Sequence, residues 1–154
     1  MGLHVEDFEI GTPILSRGRT IGEGDISLFA GLVGDHNPLH VDEEFCRTET
    51  PYGGRIAHGP LTMSVAIGLM SQMNLIDGTA IGLLEVGWTF AAPVKIGDTV
   101  RARVTPLLAR PTRDPARGVV KLGFDVLNQH DETVQSGFIT LMMRTRNGAV
   151  PPAA

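Results

Sequence analysis

Gly59-Pro60-Leu61-Thr62-Met63-Ser64-Val65-Ala66-Ile67-Gly68-Leu69-Met70-Ser71-Gln72-Met73-Asn74 is the longest helical candidate in a chain of 154 residues. Its apolar side chains, from Leu61 to Met73, fall almost all the way round the cylinder. A helix with no polar face expects burial on every side. Pro60 suits the first helical position, where its missing N–H costs nothing. The methionines of this region suit a plastic acyl pocket, although core filling is the commoner use.

After Asp77-Gly78 the apolar period drops to that of strands. Candidates run over 81–90, 99–109, 119–129 and 134–144, separated by Gly-, Pro- and Asp-rich turns at the spacing of a meander. Alternation is clearest where Val120, Leu122, Phe124 and Val126 interleave with Val119, Lys121, Gly123 and Asp125. No helical segment separates these strands, so they must pair antiparallel. A short piece at 13–17 adds an edge strand, since proline is tolerated at a strand start. The compact solution is an α+β domain whose antiparallel sheet curls around one long helix. Neither a repeat nor a linker interrupts the chain, so residues 1–154 read as a single domain. The tail at 148–154 is expected to be loose.

Upstream, Glu23–Val33 carries Ile26, Phe29, Ala30 and Val33 on one helical face. Gly24 or Asp25 would cap its start and Gly34 would end it. The chain then enters Gly34-Asp35-His36-Asn37-Pro38-Leu39-His40, which packs a carboxylate, two imidazoles and a carboxamide into seven residues. Pro38 opposes a regular helix and pushes Asn37 towards an extended conformation. Asp35 and His40 are therefore expected on an irregular loop, where such groups more often do chemistry than packing. Spacing alone favours a polar turn in which Asp and Asn bond their own backbone. A short acidic-first helical turn follows at 41–47, anchored by Phe45. Cys46, without an activating neighbour in sequence, reads as a buried, inert thiol.

Composition narrows the class. Hydrophobic content of 42% and charged content of 19% fit a soluble globular protein. One cysteine cannot form an internal disulfide, no secretory signal opens the chain, and no apolar run reaches the ~20 residues needed to span a bilayer. A cytoplasmic location away from membranes is expected. Up to residue 94 there are 12 Asp/Glu against 4 Lys/Arg; from residue 95 there are 5 against 9. The net charge of −4 argues against nucleic-acid binding, while the basic second half can meet a small polyanion.

Three chemistries compete for the polar stretch. His36 and His40 are four apart, but Pro38 lies between them and no further ligand pattern completes a metal set. A serine nucleophile lacks its Gly-x-Ser-x-Gly elbow, and Ser64 falls within the long helix. The third is paired acid–base catalysis: Asp35 and His40 hold one water and pass its protons both ways. Adding water across an activated C=C also needs donors for an enolate oxygen. The start of the long helix offers the N–H groups of Gly59 and Leu61, Pro60 having none.

Residues 29–40, with Gly-Asp-x-Asn-Pro-x-His at their heart, followed by Arg55-Ile56-Ala57-His58-Gly59, resemble the signature of the MaoC-like dehydratases, which include the (R)-specific enoyl-CoA hydratases. The order of elements matches over nearly the whole chain. The resemblance implies a hot-dog fold and reversible hydration of a trans-2-enoyl-CoA to the (R)-3-hydroxyacyl-CoA. It implies Asp35 and His40 as the catalytic pair and Asn37 as the carboxamide orienting pair or substrate. Gly59 becomes the donor to the thioester oxygen, with His58 either at the substrate or only shaping the turn. Pro60 departs from a methionine frequent in the family, which bears on substrate preference more than on reaction type. His36 is implied to be structural or pocket-lining. No cofactor or metal is implied beyond the coenzyme A of the substrate, whose phosphates have candidates in Arg101, Arg103, Arg110, Arg113 and Arg117. A homodimer extending the sheet is expected. The alternatives are a 3-hydroxyacyl carrier-protein dehydratase, a hot-dog thioester hydrolase and a non-catalytic acyl-thioester-binding subunit.

Overall fold

The computed structural model describes residues 1–148. The expected tail at 148–154 therefore lies outside the described residues except for Gly148. After a 3₁₀ turn at Val5–Asp7 come β1 (Ile14–Leu15), β2 (Arg19–Thr20) and α1 (Glu23–Val33). Next are α2 (Pro38–Val41), α3 (Glu43–Glu49) and α4 (Gly59–Ser71). The chain finishes with β3 (Ala80–Phe90), β4 (Thr99–Pro111), β5 (Arg117–Leu127) and β6 (Thr133–Arg144).

The strands form one antiparallel sheet in the order β1-β4-β5-β6-β3, with β2 also pairing β4. Strands β4, β5 and β6 are the expected meander. Strand β3 breaks the sequential order: it pairs the last strand, with Phe90 opposite Gln135. The sheet therefore ends in β3, and that edge is apolar. Ile81, Leu83, Leu84, Val86 and Phe90 are 41–58% exposed.

Alternation along β5 puts Val120, Leu122, Phe124 and Val126 into the same core as Leu61, Val65, Ala66, Leu69 and Met70, the inward residues of α4. The expectation of all-round burial for this helix is corrected. Pro60, Ser64 and Gln72 are exposed, and Met63 and Ile67 half-buried. A single curled sheet covers about half a helix, so within one chain the far side stays open. Ser64 uses its hydroxyl on the Pro60 carbonyl, 2.8 Å away.

Helix α1 has the expected bounds and ends at Gly34, whose φ of 77° suits glycine. Its start is capped differently. Gly22 is the cap, and Asp25 reaches back to accept the Gly22 N–H at 2.8 Å. Val33, assigned to the apolar face, is 52% exposed. Helix α3 begins two residues later than expected and buries Cys46 more completely than Phe45. Burial pushes the Cys46 thiol above its usual range.

Candidate active site

The seven-residue stretch does not stay irregular. Asp35 lies in the loop after α1, but Pro38–Val41 forms a one-turn helix and carries His40. Pro38 opens that turn at its first position, where proline is tolerated. Asn37 caps it, its Oδ1 accepting the Leu39 N–H at 3.1 Å, and Asp35 Oδ1 accepts the Asn37 N–H at 3.2 Å. The polar-turn reading and the catalytic reading thus describe the same residues. Asn37 shapes the turn further: its main-chain carbonyl accepts the His40 N–H at 2.9 Å.

Three groups converge behind the turn. A ligand atom from each of Asp35, His40 and His58 lies within 4.8 Å of the others. Carbonyl oxygens only accept, so the partners settle which ring nitrogen donates in each. His40 donates from Nδ1 to the Ile56 carbonyl at 2.8 Å. His58 donates from Nε2 to the Asp35 main-chain carbonyl at 3.0 Å. The two imidazoles stack, with centroids 3.7 Å apart and planes inclined by 26°. Phe29 covers the other side of His58, its centroid 5.1 Å away. His58 is 2% exposed, with Nδ1 buried and unpartnered. It backs the His40 ring and pins the Asp35 backbone. His36 is exposed and stands outside the cluster.

This spacing also suits a metal, but the stacking does not. A cation needs imidazole lone pairs that lie in the ring planes and converge at about 2 Å. In stacked rings they run side by side. A water needs only ordinary hydrogen-bond distances from two groups, and a gap of at most 4.8 Å allows one to be shared.

Arg55 holds this arrangement from below. Its guanidinium donates to Glu23 at the start of α1, at 2.6 Å, and to Glu43 at the start of α3, at 3.1 Å. Its main-chain N–H also meets Glu43, at 3.2 Å. That main-chain bond, with the guanidinium second, holds the Glu43 carboxyl below its ordinary value. The Glu23 contact holds Arg55 above its own. The next residue, Ile56, donates to the Leu39 carbonyl at 3.1 Å and accepts from His40. The segment 55–58 therefore positions both catalytic candidates.

Gly59 follows as the first residue of α4. Its N–H and that of Leu61 lie in the opening turn at the positive end of the helix dipole. A Cβ at Gly59 would stand 2.8 Å from two carbons of the Phe90 ring, so only glycine fits without movement there. Beside it lies a cavity of about 250 Å³ lined by Ile56, Gly59, Thr62, Phe90, Val94 and Gln135, among others. Asp35 and His40 are not in that lining; His40 bonds the carbonyl of Ile56, which is.

Gln135, on β6, is 2% exposed and was missed in the sequence. It accepts from Trp88 Nε1 at 2.9 Å and donates to the Gly59 carbonyl at 3.2 Å. Its signal was there: a carboxamide on the inward register otherwise occupied by Gly137, Ile139 and Leu141.

The basic candidates fare differently. Arg101, Arg103 and Arg117 pair with Asp131, Asp125 and Asp114. The hairpin bearing Arg110, Arg113 and Arg117 is paired to the Arg144 end of β6. That is nine residues, or about 30 Å of strand, from Gln135. Lys95 comes closer, since it bridges Ile56 and follows the cavity-lining Val94.

The family model described as "MaoC like domain" matches residues 7–123, and the chain belongs to this MaoC-like dehydratase family. A 3-hydroxybutyryl-CoA dehydratase of Methylorubrum extorquens is 36% identical over 116 residues, 75% of this chain and 71% of that protein. An (R)-specific enoyl-CoA hydratase of Rhodospirillum rubrum is 42% identical over 90 residues, 58% of this chain and 60% of that protein. Among solved structures, a monoamine oxidase regulatory protein from Archaeoglobus superposes with a TM-score of 0.85 at 32% identity, covering 94% of this chain and 95% of that one. A Mycobacterium tuberculosis protein with a double hotdog fold matches with a TM-score of 0.80 at 23% identity, over 99% of this chain and 47% of that one. The fold is the hot-dog fold, and the relatives named as hydratases and dehydratases are hydro-lyases.

Proposed function

We propose that this chain reversibly adds water to a trans-2-enoyl-CoA, giving the (R)-3-hydroxyacyl-CoA. The observation that supports this most is the approach of the Asp35 carboxylate and the His40 imidazole to within 4.8 Å, next to the open N-terminus of α4. One of the pair takes a proton from the shared water as its oxygen bonds to C3. The C2=C3 electron pair moves toward C1, and charge gathers on the thioester oxygen against the Gly59 N–H. The group that took that proton then delivers it to C2, so the OH and the H of one water are added and both side chains return to their starting states. The cavity beside Gly59 houses the acyl chain. The R stereochemistry follows the name of the Rhodospirillum rubrum relative.

We further infer a homodimer joined along the apolar edge of β3, which would also cover the open side of α4. Among the described residues no helix is long and apolar enough to cross a membrane. The buried lone thiol fits a reducing cytoplasm.

The test is the loss of enoyl absorbance when the protein is added to crotonyl-CoA, with chiral analysis of the product. Release of free CoA would point to a hydrolase instead. Turnover of the carrier-protein thioester alone would point to a carrier-protein dehydratase. No reaction with either substrate would refute the proposal.

A further inference from the structure

The Gln135 carboxamide has only one chemically acceptable orientation. An indole N–H can only donate and a main-chain carbonyl can only accept. Its oxygen must therefore face Trp88 Nε1, at 2.9 Å, and its nitrogen the Gly59 carbonyl, at 3.2 Å. A carboxamide nitrogen carries two hydrogens, and the Gly59 carbonyl takes one. No protein acceptor for the other occurs among the described residues. Yet this side chain is 2% exposed and lines the same cavity as Gly59 and Phe90. A buried donor left over beside a proposed thioester site has one evident use.

We propose that Gln135 is a further catalytic residue, its second N–H joining the Gly59 N–H on the thioester oxygen. This rests on the hydration reading above. As the water oxygen bonds to C3, the electron pair released from C2=C3 makes a C1–C2 double bond and the carbonyl pair moves onto oxygen. Both N–H groups hold that oxygen without transferring a proton, and they release it when C2 is protonated and the carbonyl re-forms. The amide is held ready for this. Gly137, opposite Trp88 on the neighbouring strand, leaves the space that the indole fills, and the indole bond fixes the amide plane. A donor fixed before the reaction needs no rearrangement as charge develops.

Gln135→Leu and Gln135→Glu both remove the donor, and Gln135→Glu keeps an acceptor for Trp88. Trp88 is the only tryptophan, so its emission reports whether that bond survives. With crotonyl-CoA, both variants should lose about 10²-fold in kcat while KM changes little, as expected for an interaction made mainly in the transition state. A second readout needs no turnover. In difference infrared spectra, butyryl-CoA labelled with ¹³C at the carbonyl should show a carbonyl band at lower frequency on the wild type than on Gln135→Glu. Equal band positions in a folded variant with native Trp88 emission would overturn the proposal. So would a loss confined to KM and thermal stability. A wild type that shifts the butyryl-CoA band but fails to hydrate crotonyl-CoA would refute the hydration reading and leave the donor assignment standing.

Discussion

Gly59→Ala separates the role of the helix start from the role of the space around it. The added Cβ would stand 2.8 Å from Phe90 Cδ1 and Cε1, where carbon atoms prefer about 3.5–4.0 Å. The ring must therefore retreat by about 1 Å. Overpacking of this kind costs about 1–3 kcal/mol. The low end applies, because Phe90 is 52% exposed and ends an edge strand, so it can swing outward. The alanine recovers up to about 1 kcal/mol through its better helical propensity. Net stability should fall by at most about 1 kcal/mol, or about 2–4 °C in Tm for a domain of this size. Activity should fall much further, by about 10²–10³ in kcat, because the methyl group and the displaced ring occupy the approach to the Gly59 N–H. Melting curves and crotonyl-CoA kinetics on Gly59→Ala, Phe90→Ala and the double variant decide the matter. Phe90→Ala should restore the Tm of Gly59→Ala without restoring kcat. Wild-type kcat in Gly59→Ala would show that the thioester does not approach this N–H, and full recovery in the double variant would show that the ring, not the methyl group, blocks it.

Asp35→Asn and His40→Ala should each lower kcat on crotonyl-CoA by about 10²–10⁴, the first with an unchanged melting curve and the second with a lower Tm because the Ile56 bond and the His58 stacking are lost, and turnover surviving both would remove the pair from the mechanism. The Glu43 carboxyl, held by the Arg55 N–H below its ordinary value of 4.5, stabilises the folded chain above that pH. This contribution disappears as pH falls through the lowered value, so the Tm gap between wild type and Glu43→Gln should narrow on acidification from pH 6 to pH 3. A gap constant with pH would contradict the assignment. Leu83→Lys with Leu84→Lys on β3 should shift the protein from dimer to monomer in light scattering, and an unchanged mass would place the interface elsewhere.

Local patterns carried most of the fold. The bounds of α1 and the start of α4 follow from Gly34, Pro60 and the apolar period, all read within a turn or two of chain. What failed depended on distance. The partner of β3 cannot be read from β3 itself, because its alternation is satisfied equally beside β4 or beside β6. The far side of α4 stays open in one chain, where Pro60, Ser64 and Gln72 are exposed and Met63 is only half-buried. Pro38 misled in a different way. It opposes a helix that runs through it, but it favours one that begins on it, and Asn37 supplies the cap.

The site divides along the same line. Asp35, Asn37 and His40 share one turn of chain, so their association was legible in seven residues. His58, eighteen residues beyond His40, reaches them only because Ile56 bonds the α2 turn on both sides and Arg55 anchors that strand to α1 and α3. Gln135 is farther still, 76 residues from the Gly59 carbonyl it holds. A buried carboxamide is costly unless both its ends are partnered, and here one end is answered by Trp88 on an adjacent strand and the other by a helix start. Neither partner is visible from β6. The polar residue on an apolar register is therefore the sequence trace of a contact made elsewhere, and its second hydrogen is the part that protein contacts leave unexplained.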